Sequence, residues 1–284
     1  MPPLSKVVPL AVLAAAVLAG AWYVREERES LRSRFVAAPP NAASATAGPP
    51  PASAASASAS AASAPAVAAS VPEPVPAEPL EATGVEDALI TLLGRKAVMN
   101  HLRVDGFANR IVATVDNMDR PQLSSRLWPF YPSTGQFSVR KQDGRTYIDA
   151  DNGLRYAPLL LLAETVDPAQ VAELYRRMYP LLQAAYVELG YPKGRFNDRL
   201  LAVIDHLLAT PVPDGPLEVR LPPIDPSVAP PRPWVLYQFT DPALESLSAG
   251  QKWLLRLGPV NERRVKLRLQ QFKRELIGQA AAAP

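Results

Sequence analysis

Cysteine is absent from the 284 residues, and histidine occurs only twice. The first absence excludes disulfide scaffolds, thiolate zinc sites, CxxC redox chemistry and cysteine nucleophiles. It is compatible with an oxidising compartment, because export does not require disulfides. The second means that a histidine-based metal site needs His101 and His206 to converge, with carboxylates completing the shell. Also missing are GxSxG, GxxxxGK, HExxH and GxGxxG, the usual marks of nucleophile elbows, phosphate loops, zinc proteases and dinucleotide folds. No metal and no cofactor is expected.

Charge is missing over a long stretch as well: no ionisable side chain lies between Arg34 and Glu73. That gap divides the chain into three regimes, 1–36, 37–82 and 83–284. Residues 37–82 are nearly all Ala, Ser and Pro, can bury almost nothing, and are expected to be a disordered linker. Pro49-Pro50-Pro51 and the alternation from Pro72 to Pro76 favour polyproline II. Such a segment reaches on the order of 140 Å when extended and ~40 Å as a coil. No basic residue flanks the prolines to orient a ligand, so a passive tether is the reading.

Val7 to Val24 is an uncharged run of 18 residues, six of them alanine. As a helix it would span roughly 27 Å, near the hydrocarbon thickness of a bilayer. Trp22 and Tyr23 suit an interface, and Arg25 to Arg28 stop the run. Ala19-Gly20-Ala21 also fits a signal-peptidase site. The run is long for a signal peptide and ends in aromatics, which favours an uncleaved single-pass anchor. Arg25, Arg28, Arg32 and Arg34 follow it, against the amino terminus and Lys6 before it. The positive-inside rule therefore favours a cytoplasmic C-terminal domain. The uncharged tether argues for export, and the expectation is an inner-membrane anchor with the domain in the periplasm.

Residues 83–284 read as a globular domain, α+β and mainly α, helix-rich with a small antiparallel sheet. Thr83 to Glu86 fits a capping box opening a helix that Gly94 ends. A second helix is expected over Arg95–Leu102. Asp105 is placed to cap a third with Phe107, Ile111, Val112 and Val115 on one face. Gln136–Val139 and Arg145–Ile148 flank Gln142-Asp143-Gly144 as a hairpin, since Asp-Gly suits positive φ in a tight turn. Leu154–Ala163 should be a buried helix, and Asp167-Pro168 should open a long one to Leu189 with Pro180 inside. Asn197 is the expected cap of the next, which ends at Ala209. Leu217–Leu221 and Trp234–Phe239 read as strands. Asp241, Ser248 and Pro259 open three final helices. The last holds six basic residues against Glu262 and Glu275. One basic helix without a nucleic-acid module is a solvated face, and no nucleic-acid partner is expected.

Several phrases carry a resemblance. They are Asn152-Gly153-Leu154-Arg155-Tyr156-Ala157-Pro158, Tyr179-Pro180-Leu181-Leu182-Gln183-Ala184-Ala185-Tyr186 and Leu189-Gly190-Tyr191-Pro192. Phe196-Asn197-Asp198-Arg199, Asp205-His206-Leu207-Leu208-Ala209-Thr210-Pro211 and Ser248-Ala249-Gly250-Gln251-Lys252 follow. In this order, over residues 85–277, they resemble the bacterial family catalogued as domain of unknown function 3014. The resemblance implies a single-pass envelope protein of Gram-negative bacteria. It brings no activity, substrate or catalytic residue.

His101 reads as a surface residue. Asp198 and Asp205 stand seven apart, ~10.5 Å along a helix axis, outside the comfortable range for a glycosidase pair. Ser248 and Lys252 are one residue too far apart for S-x-x-K, whereas Ser248 to Gln251 is a capping box. The loop Trp128 to Pro132 should fold back on the core, and Tyr175, Tyr179 and Tyr186 should join it. Arg199 and His206 share one helix face two turns apart and form the candidate binding site, suited to a carboxylate or phosphate. No catalytic residue is assigned. The expected function is non-enzymatic binding or scaffolding of an envelope protein or cell-wall ligand, with the oligomeric state open. The alternative is a cell-envelope hydrolase using Asp/His chemistry near His206. A cleft uniting Asp151, Arg155, Arg199 or His206 would favour it.

Overall fold

Apolar residues at helical spacing decide this architecture. The structure, a computed structural model, describes residues 73, 74, 76, 78–133, 135–223 and 233–280. The expected membrane run 7–24 and most of the linker lie outside these residues. Among the described residues no helix is long and apolar enough to cross a membrane.

The described elements are helix-rich with small antiparallel sheets. In order they are α1 (Val85–Leu93), α2 (Arg95–His101), α3 (Phe107–Asn117), β1 (Val139–Gln142) and β2 (Arg145–Ile148). Then come α4 (Ala157–Glu164), α5 (Pro168–Glu188), α6 (Phe196–Leu208), β3 (Val219–Arg220) and β4 (Gln238–Phe239). The chain closes with α7 (Pro242–Glu245), α8 (Ala249–Arg256) and α9 (Pro259–Ala280).

The long helix α5 is the centre of the packing. Val171, Tyr175, Met178, Leu182 and Ala185 are buried along it, and α1, α3, α6 and α9 all lie against it. Asp167 caps it by accepting from the Ala169 N–H at 2.9 Å, and Pro168 occupies its first turn. Phe272 of α9 meets the Tyr175 ring edge-on at 6.0 Å, and Tyr186 stacks on Tyr191 at 4.6 Å. Trp128 and Phe130 fold onto this core while Tyr131 stays exposed. A smaller cluster of Val219, Phe239 and Leu255 underlies the strands. β1 pairs antiparallel with β2 and β3 with β4, and a Tyr147–Glu218 bridge links the two pairs.

Several expected boundaries move, each for a local reason. A 3-10 turn over Ala82–Gly84 puts Gly84 at the N-cap of α1, so no capping box forms there. Gly106, at φ 59° and ψ 37°, caps α3 in place of Asp105, whose carbonyl instead accepts from Arg110. Asp143 and Gly144 both have positive φ, 51° and 75°, so the turn is two residues long and β1 must abut it at Gln142. Residues Ala150–Tyr156 are a 3-10 turn ahead of α4, and the expected burial of Leu154–Ala163 is one-sided: Leu159, Leu160 and Ala163 are buried, Leu154 and Leu161 exposed.

Asn197 does not cap α6. Its Oδ1 accepts the Tyr175 hydroxyl at 3.0 Å, and the helix begins at Phe196 with Arg195 at the N-cap, where Gln183 accepts the Phe196 N–H at 2.8 Å. Residues 233–236 form a 3-10 turn, leaving only Gln238–Phe239 of that expected strand. The folded part also starts ahead of residue 83. Leu80 packs on the core and donates its N–H to the Arg177 carbonyl at 2.8 Å, and Tyr179 donates to Glu73 at 2.8 Å.

Candidate functional site

Helix α6 carries both sequence-assigned residues, and its apolar periodicity buries it on more than one side. Leu200, Leu201, Val203, Ile204 and Leu207 are all buried, which leaves Arg199 and His206 half-buried at the join with α3 and α8. Val115 and Met118 hold the end of α3 in the core, and the residues after it turn their polar groups towards α6.

The Arg199 guanidinium is filled by acids. Nη1 and Nη2 donate to the two oxygens of Asp119 at 2.8 and 2.7 Å, the fork-to-fork pairing that Arg makes best. Nε donates to Oδ1 of buried Asp116 at 3.1 Å, and Nη2 also reaches the Asp116 carbonyl at 2.5 Å. Asp116 is completed by Arg120 at 2.7 Å and the Tyr191 hydroxyl at 3.2 Å. Burial pushes the Asp119 carboxyl up, but the Arg199 hydrogen bonds and charge outweigh it and hold the carboxyl below its ordinary value of 3.8. Arg199 shows the mirror image: burial lowers its pKa, and its acids raise it further.

His206 faces a different partner. Its Nε2 lies 2.8 Å from the Ser248 hydroxyl, which caps α8 by accepting the Gln251 N–H at 3.2 Å. A serine that accepts from a backbone amide still has its own proton to give, so a neutral His206 can accept it. Gln251 donates back to the His206 carbonyl at 3.1 Å. The Ala249 and Gly250 amides donate to the carbonyls of Arg120 and Met118 at 2.7 and 2.9 Å. The first turn of α8 is therefore stitched to the end of α3 and to α6. The pair at 199 and 206 belongs to one polar joint rather than to an open anion-binding face.

The remaining candidates separate. Asp198 faces Arg195 at 3.7 Å, and Asp205 pairs with Lys273. Lys252 pairs with Glu245 at 3.1 Å. Arg155 donates to Asn152 and to the Gly135 carbonyl, both at 3.1 Å, and Asp151 is exposed. None of these partners is shared with Arg199 or His206, so the structure does not assemble a cleft from Asp151, Arg155, Arg199 and His206. His101 is half-buried rather than on the surface, and burial lowers its pKa below 6.5. Among the described residues no group of three or more His, Asp or Glu converges as a metal site.

Sequence reasoning missed Asp116 and Asp119. The available signal was an acid at the position four residues after Val112, on the apolar face of α3. It also missed a groove of about 340 Å³ between α3, the turn Ser125–Leu127 and the end of α5. Val112, Ala113, Leu127, Ala185 and Leu189 line it, with Arg110, Arg126, Asn109 and Glu188 among its polar residues. Arg110 and Arg126 make no ion pair among the described residues, while Asn109 donates to Glu188 at 3.2 Å.

The family model described as "Protein of unknown function (DUF3014)" matches residues 107–273. Neither a curated protein nor a solved structure matches the chain.

Proposed function

Because the chain belongs to the DUF3014 family of proteins of unknown function, which brings no activity with it, we propose that it is a non-enzymatic binding or scaffolding module of the bacterial envelope. In this reading residues 7–24 anchor it in the inner membrane, residues 37–82 tether it, and the domain is displayed in the periplasm. One observation carries the binding part, the groove beside α3, because Arg199, His206, Ser248 and Lys252 are all engaged within the fold. The groove then becomes the recognition surface, since it combines apolar walls with Glu188 and with Arg110 and Arg126, which make no ion pair among the described residues, Arg110 donating to the Asp105 and Arg126 carbonyls. The hydrolase alternative gains no support, because no carboxylate is hydrogen-bonded to His206 among the described residues.

A photo-crosslinking side chain at Leu189 should capture one envelope component in cells. Asn109→Trp, which obstructs the groove, should abolish that capture without changing the melting temperature. Cell-wall hydrolysis by the purified full chain, lost in His206→Ala, would replace this reading with the alternative. For location, a reporter active only outside the cytoplasm should work when fused after Pro284. Activity of a cytoplasmic reporter alone would reverse the topology.

A further inference from the structure

The four most exposed large apolar side chains among the described residues are Leu154, Val260, Leu161 and Leu267, at 67%, 65%, 56% and 52%. They come from adjoining elements. Leu154 and Leu161 are seven residues apart through the turn and into α4, and Val260 and Leu267 are seven apart on α9. Two turns of α-helix bring Val260 and Leu267 to one side. Arg264 of α9 pairs with the Glu164 carboxylate of α4, Arg268 donates to the Glu164 carbonyl, and Asn261 donates to the Gly153 carbonyl at 3.0 Å. Each of these contacts is within three residues of one of the four apolar side chains, so the two rows flank a single seam.

On the α9 side of that face the exposed charge has one sign, while Asp151 stands exposed beside Leu154. The exposed row of α9 is Val260, Arg263, Leu267, Gln270, Arg274 and Ile277. Its two acids turn away: Glu262 is buried and Glu275 half-buried. Arg263 and Arg274 make no ion pair among the described residues. Exposed apolar side chains interleaved with guanidinium groups suit a surface that offers hydrocarbon and phosphate together. A second copy of the same face would oppose arginine to arginine, which disfavours self-association.

We infer that this face of α4 and α9 docks on an anionic lipid bilayer, so that the domain lies against the membrane that holds its tether. The inference rests on the anchored reading above, because the tether keeps the face within on the order of 140 Å of the bilayer.

The absence of cysteine makes the test direct. Full-length chain carrying Leu267→Cys, labelled with a solvent-sensitive dye, is reconstituted in vesicles of phosphatidylcholine alone or mixed with phosphatidylglycerol. Emission should rise several-fold and shift to the blue only with the anionic lipid. The same dye at Met99→Cys, 51% exposed on α2, should not respond. Arg263→Glu with Arg274→Glu should abolish the response, while flotation of the chain with the vesicles persists through the anchor. Equal emission in both lipids, or a response that survives the double substitution, overturns the docking. A rise with protein density in neutral vesicles overturns it in favour of self-association. A chain that floats and responds only with anionic vesicles keeps the docking and removes the anchor. One that floats with neither removes both.

Discussion

Asp116 depends on its neighbours for its place in the fold. It is buried, and Arg199, Arg120 and Tyr191 satisfy its oxygens. Removing the Arg199 head in Arg199→Met leaves that carboxylate partly uncompensated, which should cost about 3–5 kcal/mol of stability. Adding Asp116→Asn should recover part of the loss, since the two groups act as one unit. Denaturant melts of the single and double variants decide it, and strictly additive losses would sink the argument. His206 and Ser248 are coupled in the same way but more weakly. His206→Ala should cost roughly 0.5–1.5 kcal/mol, the worth of one hydrogen bond. Ser248→Ala should cost about 0.5–2 kcal/mol because the helix also loses its cap. A thermodynamic cycle in which the two losses simply sum would show that the 2.8 Å contact carries nothing.

At the scale of elements, the docking of α8 allows no side chain at Gly250. A Cβ there would come within 2.7 Å of Leu207 Cδ2 and 2.9 Å of the Met118 carbonyl oxygen. Gly250→Ala must push α8 off α6, and a cost of ~1–3 kcal/mol is expected from overpacking. Gly278→Ala meets nothing within 4 Å and serves as the control; equal melting temperatures for the two variants would refute the clamp. The elements also mark how far sequence reading reaches. Asp167, Asp241 and Ser248 were legible because an oxygen two or three residues ahead of free amides has a single local use, and all three cap as expected. Asn197 and Asp105 had the same local credentials. Tertiary partners decided otherwise, through the Tyr175 hydroxyl and the left-handed Gly106. The Arg199–His206 face was legible as a helix face. Its neutralisation was not, because Asp116 and Asp119 lie 83 and 80 residues away in sequence.

For the whole molecule, acid is the informative variable. Asp119 and Glu164 are both held below their ordinary values, 3.8 and 4.5. For Glu164 the Arg264 hydrogen bond is the main cause. Their native forms bind protons more weakly than the unfolded chain does. The stability they contribute is complete above the ordinary values and is lost as pH falls through them to the folded ones. Glu262 has the opposite sign. Burial raises it above 4.5 against the pull of Lys266, so its cost to the fold grows as pH rises from 4.5 through its native value. Chemical denaturation against pH should therefore show wild type losing stability below pH ~4 more steeply than Arg264→Gln, in which Glu164 has lost its partner. Parallel curves for the two proteins would remove the Glu164–Arg264 pair from the account.

The contacts of Glu73 and Leu80 have a mechanical consequence. Any pull transmitted along the chain from its N-terminal side enters the domain through these residues, at Tyr179 and Arg177 of α5. The two hydrogen bonds are met in succession, not side by side, so a load unzips them singly before it strains the core. Rupture of the first frees the six residues between them, seven residue steps, or about 25 Å of contour. An optical trap pulling on the N-terminal side should register that release as a small low-force step preceding cooperative unfolding. Glu73→Gln should lower the force of that step and leave the main unfolding force unchanged. The junction would then act as a fuse, giving way under tension while α5 keeps its place.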